Sequence, residues 1–302
     1  MRNSRIVKNL QSLLPIGPVV LIVSLMGISS SFYSLVYGHD FIPNESASFM
    51  SFANQLQIES LLVQTNLANS SLALAKEHAA RAIELLNSKD PINNVTWIEE
   101  IAEKNQRVAN ELVATVSSLE NITMTSSSWS SSPKQEQSIF EETNRLVNEI
   151  GAIIDEAITT NINKEQRVND IIQAMSLVDI IDTLLRYYGS AYTVKFDIGN
   201  MSEMASEMNG NSSDMNYILV DFADYQSAQA LATKAQEIFN NELKLLANKN
   251  ATNSIAKLED GLIRLSNSIE NKSSPIDVMI IGHSQIHPYL QAAFNLQFLT
   301  KM

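Results

Sequence analysis

The chain has 302 residues, with 21 Lys and Arg against 33 Asp and Glu, a net charge of −12, and no cysteine. Without thiols there are no disulfides, no thiolate metal centres and no haem attachment through CxxCH. The acidic balance argues against nucleic acid and anionic lipid as partners, and the length is enough to bury a core without covalent staples.

The N-terminus has the parts of an export signal. Arg2, Arg5 and Lys8 are followed by a stretch, Asn9–Gly38, without a single charged residue. Its apolar heart is Leu13–Ile28, and a Ser-rich run, Ser29–Ser34, comes next. Positive charge ahead of an apolar segment holds that end in the cytoplasm and sends the rest outward. Val36-Tyr37-Gly38, just before His39, places small residues where a signal peptidase cuts. Two outcomes fit residues 1–38: a cleaved signal peptide, or an uncleaved anchor, since Leu13–Val36 covers a bilayer core of about 30 Å. Pro15, Gly17 and Pro18 weigh against the anchor. Both place residues 39–302 outside the cytoplasm, secreted or anchored, touching membrane only through the N-terminal segment. Without the three leading bases the net charge is −15.

Eight Asn-x-Ser/Thr sequons follow, at Asn44, Asn69, Asn94, Asn121, Asn200, Asn211, Asn250 and Asn271. They suit a glycosylated surface protein, although a chain this rich in Asn and Ser carries more than half of them by chance.

Beyond residue 44 the apolar periodicity is helical, and no strand-like alternation of useful length occurs. The expected fold is all-α, a bundle of about seven helices in two halves, 39–195 and 196–302, packed on each other. The first helix is expected over Ser46–Asn87, ended by Pro91. That length exceeds what a small bundle needs and suggests self-association. The second starts after Thr96, an N-cap with Glu99 three residues on, and turns Ile101, Val108, Leu112 and Leu119 inward. Residues 124–134 read as a Ser-rich linker. In the third helix Ile139, Thr143, Leu146, Ile150, Ile153 and Ala157 step 4-3-4-3-4, the seam of a coiled-coil-like bundle. The fourth is expected from about Lys164 to Tyr188, the fifth over Asp214–Asn248 with Ala228, Leu231, Ala235 and Ile238 inward. The sixth covers Thr252–Glu270 and the seventh Ile276–Phe298. Leu112, Leu119-Glu120-Asn121 and Thr123 are echoed by Leu262, Ile269-Glu270-Asn271 and Ser273, which suits either a duplicated unit or two helices with similar ends.

Few residues offer chemistry. His283 and His287 stand at i and i+4, a spacing that places two imidazoles on one helical face for Zn2+ or Cu2+. His78, next to Glu77, is the candidate third ligand. Equally, the pair suits capping or interfacial histidines before Pro288. Met201, Met204 and Met208 share a helical face and offer soft sulfur for Cu(I), or fill an irregular helix contact. Asp179, Asp182 and Arg186 form one stripe of the fourth helix, opposite Leu177, Ile181, Leu184 and Tyr188. That pattern describes a solvated, self-paired face. Tyr187, Tyr188, Tyr192, Tyr217 and Tyr225 read as aromatic packing near helix ends. There is no GxSxG, HExxH, Walker loop, GxGxxG or EF-hand loop, and so no expected catalytic residue.

Gly282-His283-Ser284-Gln285-Ile286-His287-Pro288-Tyr289-Leu290-Gln291-Ala292-Ala293-Phe294-Asn295-Leu296, together with the Glu77-His78 helix behind an export signal, resembles secreted helical proteins of ammonia-oxidising archaea. The resemblance implies no particular reaction. It implies a copper-dependent organism that glycosylates surface proteins, which favours the metal and sequon readings. With four histidines in the whole chain, the sequence departs from what a dedicated metal buffer would carry. The expected role is non-enzymatic binding or scaffolding at the cell surface, with a cell-envelope protein or a second copy as partner. The alternative is copper or zinc binding through the C-terminal His pair.

Overall fold

Side chains that accept from unpaired first-turn N–H groups set the helix starts. The computed structural model describes residues 41–125, 133–194, 217–247 and 251–297. Asn44 Oδ1 accepts from the Ala47 N–H at 3.0 Å and opens α1, Glu45–Ala68. A tight turn leads into α2, Leu72–Asn87. The single helix expected over Ser46–Asn87 is therefore two. Asn69, Ser70 and Ser71 break it, with Ser70 in the left-handed region at φ 57°. Folding back lets α2 bury Ala75, Ala79, Ala82 and Leu86 against its neighbours, and removes excess helix length as a ground for self-association.

Thr96 and Glu99 form the expected capping box of α3, Trp97–Lys104. The Thr96 N–H and hydroxyl donate to Glu99 Oε2 at 2.9 and 2.8 Å. Asn105 leaves the helical region and its side chain restarts the chain as α4, Gln106–Thr125. α5 spans Pro133–Asn161. Its predicted seam is the buried face: Thr143, Leu146, Ile150, Ile153 and Ala157 are all in the core. A single turn, Lys164–Arg167, precedes α6, Asp170–Ala191.

α7 begins at Phe222, capped by Asp221, and runs to Ile238. It continues through a π turn, Phe239–Leu243, into Lys244–Leu246. α8 is Thr252–Glu270, as periodicity predicts. The last segment is α9, Pro275–Ile281, a second π turn over Gly282–Ile286, and α10, His287–Phe294. Among the described residues there is no strand, and Lys89 and Thr96 form an isolated antiparallel bridge. The protein is an all-α helical bundle.

α1 is the hub, packing on α2, α5 and α6, while α6 meets α7 and α7 meets α8. α4 lies on α5 and α2, and α10 on α8 and α6. One hydrophobic core runs through all of them, from Phe41 to Leu296. Because α1, α7 and α10 cover α6 from several directions, the solvated face expected for it is only partly solvated: Arg186 is exposed and donates to Thr183, and Asp179 is half-buried and accepts from Ser48. Asp182 is buried, and Leu177, Ile180, Ile181, Leu184 and Leu185 are fully enclosed. The tyrosines pack as expected: Tyr188 lies 5.1 Å from Tyr192 and 6.2 Å from Tyr225, centroid to centroid. Their hydroxyls also work, since Tyr188 donates to Ser273 O at 2.7 Å and Tyr225 to Ile269 O at 2.8 Å. These bonds tie α6 and α7 to the end of α8. Among the described residues no helix is long and apolar enough to cross a membrane.

Candidate functional site

Of the two C-terminal histidines, His283 lies on the second π turn and His287 opens α10 directly after it. Pro288 has no N–H and its ring crowds the carbonyl four residues back, so the helix widens just ahead of it. The His287 N–H accordingly reaches Gly282 O. Such turns are frequent at functional sites. His283 and His287 converge edge to face, with ring centroids 4.9 Å apart. His287 also meets the edge of Phe41 at 6.1 Å and faces Asp182 of α6, Nε2 to Oδ1 3.4 Å. That separation suits a long ion pair. It also matches the span of about 3.4 Å between two ligands on a tetrahedral ion with bonds near 2.1 Å.

Gly282 allows this approach to α6, because a Cβ there would lie 2.8 Å from Leu185 Cδ1. Gly282→Ala is expected to cost about 1 kcal/mol through overpacking against a buried leucine. Urea denaturation checks it, and a neutral substitution would mean that Leu185 yields freely.

His78 does not join the pair. It lies fully buried in a different polar cluster, between α1, α2 and α7. Its Nδ1 meets Glu59 Oε2 at 2.7 Å and its Nε2 meets Gln226 Oε1 at 3.0 Å. The partner is thus Glu59 across the α1–α2 turn, not the adjacent Glu77. Ser227 Oγ donates to Glu59 Oε1 at 2.6 Å, and Asn66 and Gln226 exchange amide hydrogen bonds at 3.0 and 3.2 Å. All five side chains are buried. Both His78 nitrogens already have oxygen partners, so binding a metal there would break the brace. Among the described residues no group of three or more His, Cys, Asp or Glu side chains is placed to hold a metal ion.

Arg81 extends this cluster toward the surface. It pairs with Asp224 at 2.9 Å, Glu77 at 3.1 Å and Asp221 at 3.4 Å, and lies 5.6 Å over the Tyr187 ring. Burial works against its charge, but Asp224, Glu59 and the other acids outweigh that and hold its pKa above the ordinary value. Burial also pushes Asp224 up to about 6 against the pull of Arg81. Sequence reasoning missed Glu59, Asn66, Gln226 and Ser227. The available signal was Glu59 lying among Ile58, Leu61, Leu62 and Val63.

A third polar cluster lies in the α2–α3 loop. Burial, then the neighbouring Asp90, push the Glu100 carboxyl up to about 7, and burial raises Asp90 as well. The sign follows from a folded pKa above the unfolded value. Glu100 contributes most stability below about pH 4.5, and that contribution is lost as pH rises through about 7. After a discount for partial exposure, the loss is on the order of 2 kcal/mol. In metal-free buffer, Glu100→Gln should flatten the fall in unfolding free energy between pH 5 and 8. An unchanged slope would exclude Glu100 as its source.

Of the sequons, Asn69, Asn94, Asn121 and Asn271 are exposed, and Asn44 is half-buried as the α1 cap. Asn200, Asn211 and Asn250, the export segment 1–38, and Met201, Met204 and Met208 lie outside the described residues. A surface groove of about 370 Å3 between α3 and α4 is lined by Ile98, Ala102, Ala109, Val113 and Ala114. No protein-family model matches the chain, and no curated protein and no solved structure is significantly similar to it.

Proposed function

We propose that this is a non-enzymatic protein of the cell exterior, a helical bundle that binds or scaffolds at the cell surface. One observation carries the scaffold half of that reading. Glu59, His78, Asn66, Gln226 and Ser227 are buried and committed to one another across three helices. A fully satisfied internal network rigidifies a core and fixes one arrangement of its helices, which is what a scaffold requires. The exterior address is supported by Arg2, Arg5 and Lys8 ahead of the uncharged Asn9–Gly38 segment, and by sequon asparagines that are exposed. An envelope protein or a second copy of the chain is the proposed partner, and the resemblance to secreted archaeal proteins agrees with that setting.

The second reading is copper or zinc binding. It is favoured by the approach of His287 to His283 on one side and to Asp182 on the other. Titrating the protein with Cu(I), Cu(II) and Zn(II) separates the two. The scaffold reading expects no stoichiometric binding at this contact. One tightly bound ion per chain, lost in His283→Ala/His287→Ala, would replace it with the metal reading.

A further inference from the structure

The loop between α2 and α3 and the first turn of α3 carry two acids, Asp90 and Glu100, that act on each other. The loop is closed at its base by the Lys89–Thr96 bridge and by the Trp97 N–H, which donates to Ser88 O at 3.1 Å. Asp90, 1% exposed, is held from both sides of its backbone: its N–H donates to Val95 O at 2.8 Å and its carbonyl accepts from Asn94 at 3.0 Å. Its carboxyl accepts from the Ile92 N–H, 3.1 Å to Oδ1, and also from the Asn93 N–H. Its Oδ2 is buried and meets no hydrogen-bond donor. On the first turn of α3, Glu100 Oε2 is in the same condition. Asp90 and Glu100 feel each other's charge, and Glu45 at the start of α1 adds to the negative field. Asn93 bonds the Glu100 carboxyl, and Lys104, one turn further along α3, offsets the field only slightly.

Two acceptor oxygens removed from water without donors cost stability. Placed beside each other, they repel as well. A cation between them removes both penalties at once. We infer that Asp90 and Glu100 are the protein carboxylates of a Ca2+ site that closes the α2–α3 loop. The donor set decides the ion. It is all oxygen, which suits a hard cation rather than copper or zinc. It sits in an irregular loop, whose carbonyls and bound water fill the six to eight positions that Ca2+ takes in flexible geometry. No third His, Cys, Asp or Glu completes a group here among the described residues, so the other ligands are neutral. Two charged ligands place the affinity in the range of extracellular modules, about 10⁻⁴ to 10⁻³ M. The site is separate from the His283–His287 contact and does not depend on it.

Tb3+ serves as the probe, because Trp97 stands at the foot of the loop and sensitises its emission. With the full chain, one Tb3+ per molecule is expected, displaced by millimolar Ca2+, and millimolar Ca2+ should raise the unfolding midpoint above that in chelator. Asp90→Asn and Glu100→Gln should each weaken Tb3+ binding by about tenfold or more. His283→Ala/His287→Ala should leave it unchanged. Glu100→Gln removes a buried charge and is expected to keep its helical circular dichroism, so it carries the test if Asp90→Asn misfolds. Emission that Ca2+ does not displace, binding that survives in folded Glu100→Gln, or a midpoint indifferent to Ca2+ would each overturn the assignment. In the last case the two carboxyls share a proton instead.

Discussion

Replacing Glu59 by alanine is expected to destabilise the protein by about 3–5 kcal/mol, the usual cost of removing one member of a buried, hydrogen-bonded ionisable pair. Glu59 is 1% exposed and receives Ser227 Oγ at 2.6 Å while facing His78 Nδ1 at 2.7 Å. Alanine would leave both partners buried without an acceptor, and unmade buried bonds are what make such changes costly. Glu59→Gln should cost less, since an amide oxygen still accepts from Ser227. Urea unfolding measures the loss. A double-mutant cycle with His78→Ala isolates the pair, because coupled neighbours lose less together than the sum of their separate losses. A Glu59→Ala variant within about 0.5 kcal/mol of the parent, the range of ordinary surface changes, would mean that the network braces nothing.

Trp97→Ala should be nearly as damaging, about 3–5 kcal/mol. Trp97 is 5% exposed, stacks on Phe52 with centroids 4.9 Å apart, and meets the edge of Phe49 at 6.0 Å. It is the first residue of α3, so one side chain fixes that helix and the foot of the preceding loop against α1. Removing it leaves a cavity between α1 and α3 that buried aromatic neighbours cannot close. Alongside the stability loss, Tb3+ emission should disappear with its sensitiser. A thermal midpoint unchanged by Trp97→Ala would contradict this packing.

Local chemistry was the readable part of the sequence. Thr96 with Glu99 announced α3, the 4-3-4-3-4 steps from Ile139 to Ala157 gave the buried face of α5, and Thr252–Glu270 emerged with its expected bounds. These features depend on neighbours within a few residues. The misses depend on contacts far along the chain. Asn69-Ser70-Ser71 contains neither Gly nor Pro, and helical periodicity resumes on its far side, so nothing local distinguished a turn from a helix with a polar spot. Once that turn forms, Glu59 comes opposite His78, a pairing invisible while α1 and α2 were one rod. In α6 the stripe of Asp179, Asp182 and Arg186 was real, but a moment in the sequence marks only a difference between faces. Asp182 is covered because α10 delivers His287 to it. The imidazole spacing was legible, while the π turn that sets their convergence depends on how the chain relaxes before Pro288. Asp90 and Glu100 belong to no local pattern, and only burial makes them notable.

That the bundle works outside the cytoplasm is tested most directly by topology. The full chain, carrying a C-terminal epitope, is expressed in cells, and intact cells are treated with a protease that cannot cross the membrane. Loss of the epitope from intact cells, or its release into the medium with the first residues removed, is the predicted result. An epitope that stays protected until the cells are lysed would contradict the exterior address and the proposed surface role built on it.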